Sequence, residues 1–225
     1  MLYFVSRSIG NIEDTSLRAV KTLVNADVIV CEDTRSFGKY YARVQEIYGL
    51  KPEKPQKIIY FFKHDEFAKV HKVVEYLKSD FDVALVTECG TPMVSDPGKL
   101  LLDLVIREGL PYTSIPGPTA YIDALLLSGF GFDESIFVGF ISRKPSEIEK
   151  LFLKYLHKNT KLVFYESALR IHKTLNVLFR THPEAKVAIC REMTKPYEEV
   201  IFGSPDELRD IKKVYKGELT IVVKI

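Results

Sequence analysis

Cysteine is scarce in these 225 residues: there are three, Cys31, Cys89 and Cys190, odd in number and far apart. Their spacing fits no zinc site and no disulfide framework, so they read as reduced, buried thiols of a cytoplasmic protein. Histidine is sparse too. His64, His71, His157, His172 and His182 are scattered over mostly exposed positions, and no metal site is expected. No apolar run approaches the roughly 20 residues that a membrane span needs. No charged segment precedes an apolar core at the N-terminus, so no signal peptide is expected. Neither sign of charge is in excess, with 32 Lys plus Arg against 30 Asp plus Glu and a net charge of +2. A chain so balanced is not a general polyanion binder, and any contact with nucleic acid has to come from a local patch. Four nucleotide, hydrolase and protease signatures are also missing. There is no Gly-x-x-x-x-Gly-Lys-Ser/Thr loop, no Gly-x-Gly-x-x-Gly after the first strand, no Gly-x-Ser-x-Gly elbow and no His-Glu-x-x-His.

What is present is material for a core: 46% of residues are hydrophobic and 28% charged. Strand-like and helix-like segments alternate for more than a hundred residues. Strands are expected at Leu2–Val5, Asp27–Cys31, Lys57–Phe61, Asp82–Val86 and Pro111–Ile115, with helices between them, including Ser36–Tyr48 and Glu66–Lys78. Asp14 or Thr15 is placed to cap the first helix. Such alternation means a mostly parallel sheet covered on both faces. The pattern then loosens. Helix Tyr121–Leu127, strand Ile136–Phe140, helix Ile148–His157, strand Thr160–Tyr165, helix Arg170–Arg180 and strand Lys186–Cys190 lead to Tyr197–Phe202 and Glu218–Lys224, which alternate like antiparallel strands around a short helix, Pro205–Lys212. The expected organisation is therefore α/β in two domains, 1–116 with a mostly parallel sheet and 117–225 with a mixed one.

One stretch organises the rest: Thr87 to Gly98, rich in glycine, proline and small hydroxyl side chains, sits where the fourth strand hands over to a helix. That is the carboxyl end of a parallel strand, the rim at which open α/β sheets hold ligands. Gly90 and Gly98 permit backbone angles closed to other residues, while Pro92 and Pro97 fix the turns between them. A loop so long and so constrained is unusual for a plain connection.

Further loops fall at strand ends: Ser8-Ile9-Gly10-Asn11, Glu32-Asp33-Thr34-Arg35, Pro116-Gly117-Pro118-Thr119-Ala120, Phe164-Tyr165-Glu166-Ser167 and Arg191-Glu192-Met193-Thr194-Lys195, with Lys216-Gly217-Glu218 opening the last strand. In this order and at these spacings, with Gly90-Thr91-Pro92, they resemble the tetrapyrrole-methylase superfamily of S-adenosylmethionine-dependent methyltransferases, and within it the branch that methylates a cytidine 2′-oxygen in 16S ribosomal RNA. The resemblance covers nearly the whole chain. It departs where the family usually reads Thr-Pro-Ile-Gly-Asn and this chain has Arg7-Ser8-Ile9-Gly10-Asn11, and where Ser-Asp-Ala-Gly-Thr-Pro is replaced by Thr87-Glu88-Cys89-Gly90-Thr91-Pro92. Many members also carry a further C-terminal segment after the last strand.

The resemblance implies a two-domain tetrapyrrole-methylase fold with the cofactor, S-adenosylmethionine, in a cleft between the domains, commonly in a homodimer. Its cofactor contacts fall on Ile9, Cys89, Gly90, Thr91, Val94, Thr119, Ala120, Glu166 and Met193. A sulfonium is a cation, so the missing lysine-bearing glycine loop agrees. The implied substrate is 16S rRNA of the small ribosomal subunit, with no membrane partner. Methyl transfer to a hydroxyl calls for alignment and a base. Glu32 and Asp33 are candidates for the base, with Arg35 gripping a phosphate or pairing with them; Asp33 and Thr34 serve equally as helix caps. Arg7, Arg35, Lys39, Arg143 and Lys144 are candidates for a phosphate backbone, and Phe61, Phe62 and Tyr165 for stacking a splayed base. Arg191, Glu192 and Lys195 form a second charged cluster, read either as substrate contacts or as an Arg191–Glu192 ion pair. Two other readings stand beside this one: a methylase of a tetrapyrrole or other small substrate, and a non-catalytic nucleotide-binding protein that keeps the fold.

Overall fold

A computed structural model describes residues 1–60, 66–209 and 216–225, without the side chains of 66–68. The chain divides into two compact units, Met1–Thr119 and Ala120–Ile225. Residues 117–119 go with the first unit for a local reason. A Cβ at Gly117 would lie 2.7 Å from Ser6 Cβ, and the Thr119 hydroxyl is 2.7 Å from that of Thr91.

In the first unit, β1 (Leu2–Val5), β2 (Val28–Cys31), β3 (Lys57–Tyr60), β4 (Val83–Val86) and β5 (Tyr112–Ile115) form one sheet in the order β3-β2-β4-β1-β5. Every pairing is parallel. All four residues of β2 and of β4 are buried, as continuous apolar runs covered on both faces require. Alternate strand residues feed two cores. Val5, Ile29, Cys31, Ala84, Val86 and Ile115 pack with α1 (Leu17–Asn25) and α2 (Thr34–Tyr48). Leu2, Phe4, Val28, Val30, Val83 and Leu85 pack with α3 (Glu66–Lys78) and α4 (Lys99–Arg107). The cap of α1 is Ser16, not Asp14 or Thr15: its Oγ accepts from Ala19 N at 3.1 Å. Asp14 instead ends a 3₁₀ turn opened by Asn11, and the buried Thr15 hydroxyl accepts from Tyr40 at 3.2 Å. Asp33 caps α2 and thereby starts it two residues before the expected Ser36; Gly49, at φ +63°, closes it. Phe61, expected at the end of β3, lies outside the described residues, as do Phe62, His64 and Lys212.

In the second unit, α5 (Ala120–Ser128) precedes β6 (Ser135–Phe140), α6 (Pro145–Tyr155), β7 (Lys161–Ser167), α7 (Ile171–Thr181), β8 (Lys186–Arg191), β9 (Glu199–Gly203), α8 (Pro205–Arg209) and β10 (Glu218–Lys224). The sheet order is β6-β7-β10-β8-β9, with β6 parallel to β7 and the other neighbours antiparallel. Its core joins Phe152 of α6, Phe164 of β7, Ile171 and Leu175 of α7 and Val187, Ile189, Ile221 and Val223 of the central strands. From a strand position outside that core, the Cys190 thiol reaches the Ala124 carbonyl of α5 at 3.8 Å. So the sheet is mixed here and wholly parallel in the first unit.

Candidate active site

The strand order of the first unit prepares a ligand site. The chain leaves β1 and β2 towards the face covered by α1 and α2, but leaves β4 towards the face of α4. Neighbouring strands whose connections diverge open a crevice at their carboxyl ends, and here β4 has one on each side.

Between β4 and β1, three loops interlock. Arg7 N donates to the Gly90 carbonyl at 3.0 Å, and Ser6 Oγ donates to Thr91 Oγ1 at 3.2 Å. Gly90 sits at φ +69°, where an added Cβ would be 3.2 Å from Ile9 Cγ2 and 3.4 Å from the Pro118 carbonyl oxygen. Glycine is required there on both counts. Ile9, Gly90, Thr91 and Thr119 are thus brought together. Cys89 beside them is exposed, against the expectation of a buried thiol, because it lies on the loop and not on a strand. Cys31 and Cys190 are buried, and burial pushes both thiols up to about 12. Val94 is half-buried between Met93 and Ser95, which hold φ +68° and +71° without being glycine. That strained turn presses Met93 Cγ to within 3.2 Å of where a Gly98 Cβ would stand.

Between β4 and β2, three carboxyl groups gather. The parallel register that sets Cys31 beside Val86 carries on to Glu32 and the Thr87-Glu88 pair. Glu32 is half-buried, and its Oε1 has no hydrogen-bond partner among the described residues. Burial, then the charges of Asp96 and Glu88, raise its carboxyl to about 7, against a lowering hydrogen bond from the Glu88 N–H. Asp96 is raised to about 6, by burial first and the Glu88 charge last; the Thr87 hydroxyl, facing it without a well-formed bond, works the other way. Ser36 Oγ donates to Glu88 Oε2 at 2.6 Å. Asp33, by contrast, is held below the usual carboxylate range by the N–H groups of Ser36 and Arg35, which its Oδ1 accepts at 2.9 and 2.7 Å. Arg35 is exposed. Reading single loops misses Glu88 and Asp96 as partners of Glu32. The signal for them is the sheet order, which only the pairing of β2 with β4 reveals.

In the second unit Ala120 opens α5, and Glu166 is buried with both oxygens engaged. It takes Arg170 at 2.6 Å, the Thr174 hydroxyl at 2.6 Å and the Ser167 N–H at 2.6 Å. Met193 is 7% exposed, between Glu192 and Thr194 at φ +48° and +63°. The expected Arg191–Glu192 pair is replaced by other partners. Arg191 bonds Glu199 at 3.2 Å and the Lys216 carbonyl at 3.2 Å, while Glu192 accepts from Lys195 at 3.1 Å and Glu218 N at 2.8 Å. β8 ends at Arg191, and the left-handed backbone of Glu192 turns its side chain away from that of Arg191. Tyr165 packs its ring against Phe137 and Phe140 at 5.0 and 5.3 Å. Arg143 and Lys144 are exposed, and Lys144 meets Glu147 at 3.3 Å. His182, unlike the expected exposed histidines, is buried, which lowers its pKa. Among the described residues, no group of three or more His, Cys, Asp or Glu could hold a metal ion, and no helix is long and apolar enough to cross a membrane.

The family described as Tetrapyrrole (Corrin/Porphyrin) Methylases matches residues 1–209. The chain belongs to this family. As a tetrapyrrole methylase it is an S-adenosylmethionine-dependent methyltransferase. Among its relatives, the ribosomal RNA small subunit methyltransferase I of Coprothermobacter proteolyticus is 37% identical over 99% of this chain and 97% of its own length. The protein of the same name from Bacillus subtilis is 34% identical, over 100% of this chain and 75% of the relative. Solved structures share the fold of these methylases. The cobalamin-biosynthetic cobalt precorrin-4 methyltransferase superposes with a TM-score of 0.69 at 15% identity, covering 99% of this chain and 94% of the other. The uroporphyrin-III C-methyltransferase of Thermus thermophilus, solved with S-adenosylhomocysteine, gives 0.62 at 20% identity, covering 98% and 96%. The residues between β4 and β1 suit the cofactor's chemistry. A bare Gly90 between Ile9 and Pro118, with the neutral hydroxyl pair Thr91–Thr119, offers close backbone approach to a cation and no lysine to repel it.

Proposed function

We propose that this methyltransferase acts on the 2′-hydroxyl of a cytidine in 16S rRNA of the small ribosomal subunit, as a cytoplasmic homodimer. The observation that carries the reading is the Glu32 carboxyl, raised to about 7 and holding a buried, unpartnered oxygen on the opposite flank of β4 from Gly90 and Thr91. A carboxyl with a pKa close to the working pH is suited to take a proton and to return it to solvent. The relatives' common name supports RNA as the class of substrate. Exposed apolar side chains on α5, namely Ile122, Leu126 and Leu127, support a second copy as partner.

Bound S-adenosylmethionine supplies an already activated methyl group. Ile9, Cys89, Gly90, Thr91, Val94 and Thr119 of the first unit, with Ala120, Glu166 and Met193 of the second, are the residues proposed to hold it. Glu32 takes the proton from the attacking hydroxyl. Glu88 and Asp96 keep Glu32 basic enough to do so near neutrality. Asp33 holds the first turn of α2 behind Glu32, and Arg35 faces the substrate from the same turn. Arg7, Arg143, Lys144, Tyr165, Arg191 and Lys195 contribute to gripping the RNA.

The test is to incubate the protein and methyl-labelled cofactor with 30S subunits, naked rRNA and a porphyrinogen, then digest the RNA with alkali. Label in the RNA, at a linkage that resists alkaline cleavage, is the expected result. Label in the macrocycle alone overturns the reading.

A further inference from the structure

Arg7 is the residue of the first unit whose chemistry is least accounted for by the fold. Its guanidinium carbon lies over the Tyr40 ring, 3.9 Å from the centroid. Its Nε and Nη1 are buried and find no hydrogen-bond acceptor among the described residues. A desolvated cation with unmet N–H donors is costly to maintain in a structure that gains nothing from it. The cation–π contact with Tyr40 restrains the guanidinium in place, which favours recognition of an anion by its N–H fork.

The surroundings extend the same chemistry. Arg7 lines a cavity of about 430 Å³ together with Ser8, Ser36, Lys39, Tyr40 and Arg43. Lys39 and Arg43 are one helical turn apart on α2 and both exposed; Arg43 is neutralised by Glu46 at 2.6 Å. Among the described residues no carboxylate lines the cavity, although Glu88 stands behind Ser36 and takes its hydroxyl at 2.6 Å. Two cations, Arg7 and Lys39, with serine hydroxyls beside them, therefore face an open volume of nucleotide size. Arg7 is also joined to the methyl-donor loop, through its backbone bond to Gly90 at 3.0 Å.

We propose that this cavity is an anion subsite that grips a phosphodiester of single-stranded RNA next to the methylated nucleotide. The inference rests on the RNA reading above and gives it a phosphate contact: Arg7 makes a forked, oriented bond, Lys39 adds a point charge, and the Ser8 hydroxyl completes the donors, that of Ser36 being given to Glu88. Fixing one phosphate beside the donor loop sets the register of the chain and so selects which ribose is presented.

The test is binding of a short fluorescent single-stranded oligoribonucleotide across a salt series, with wild type, Arg7→Met, Arg7→Lys and Lys39→Ala. Arg7→Met and Lys39→Ala are each expected to weaken binding about tenfold at low salt and to flatten the salt slope by about 0.7 per lost phosphate contact. Arg7→Lys is expected to restore the slope but not the full affinity, since it keeps charge and loses the fork. Unchanged slopes in Arg7→Met and Lys39→Ala overturn the proposal. Should Arg7→Met fail to fold, the exposed Lys39→Ala decides on its own. Calorimetry with inorganic phosphate forms a second arm. A saturable heat that Arg7→Met abolishes while its RNA affinity stays that of wild type assigns the cavity to a free anion, and overturns the RNA contact. The two readings fail separately: a wild type that transfers no label to any RNA sinks the proposed function, whereas continued transfer with every slope unchanged sinks only the subsite.

Discussion

Charged side chains at strand ends behave differently in the two units. In the second unit they are tied into the fold as well: Glu166 serves Arg170, Thr174 and Ser167, and Lys195 bridges Glu192 and Glu218. In the first, Glu32 keeps a buried oxygen and Arg7 two buried nitrogens without partners among the described residues. Buried polar groups in a settled protein are almost always satisfied, so groups left over mark where a ligand or a reaction supplies the missing partner. Charge at a strand end is thus no guide to function until its partners are counted.

That contrast yields experiments of graded size. Glu32→Gln is expected to lower turnover about a thousandfold while leaving cofactor affinity intact, as loss of a general base does; a rate within a factor of three of wild type removes Glu32 from the chemistry. Glu166→Ala should act in the opposite way, through the fold. It strands the Arg170 guanidinium beside a buried site, for a loss of about 3 kcal/mol in denaturant unfolding, and an unchanged midpoint would place Glu166 among the unsatisfied groups after all. Gly90→Val combines a positive φ with two close contacts and is expected to weaken cofactor binding by calorimetry about a hundredfold, roughly 2.7 kcal/mol. Normal binding would remove that loop from the cofactor site.

The smaller effects concern pH and capping. Glu32 ionises near 7 in the folded chain against 4.5 for a free side chain, so the folded state favours its protonated form. Its contribution to stability is complete below 4.5 and is lost as pH rises through 7. The melting temperature of Glu32→Gln relative to wild type should therefore climb between pH 4.5 and 7 and level off above; a flat difference contradicts the assignment. Methyl transfer by wild type should rise over the same approach to neutrality, and Glu88→Gln should shift that rise to lower pH. Asp33→Ala should lower the unfolding midpoint slightly, as a lost cap does. Asp33→Asn should cost less, since asparagine caps as well, and a large loss of turnover in Asp33→Asn would restore Asp33 as a second base.

Much of the fold was legible because it rests on periodicity. The buried runs at 28–31 and 83–86 and the amphipathic helices between strands carry the parallel sheet in their own sequence. The candidate cofactor loop was legible through Gly90, whose position is enforced by local backbone geometry. Less legible were the relations that strand order creates. Nothing local to Glu32 announces Glu88 and Asp96, which come within reach only because β4 inserts beside β2. Nor does the Arg191-Glu192 dipeptide announce that each residue finds a partner on another strand, Glu199 for Arg191 and the Glu218 N–H for Glu192. Ser16 won the α1 cap from its neighbours because Thr15 was already engaged with Tyr40.

The strand order β3-β2-β4-β1-β5 also bears on how the polypeptide is made. β1 pairs with neither β2 nor β3; its two neighbours, β4 and β5, end at Val86 and Ile115. Until β4 has been synthesised, Leu2–Val5 has no strand of its sheet to pair with. Long-range parallel pairing of this kind folds slowly and invites association of unfinished chains. β1 is accordingly a natural client for a chaperone until β4 slides between it and β2.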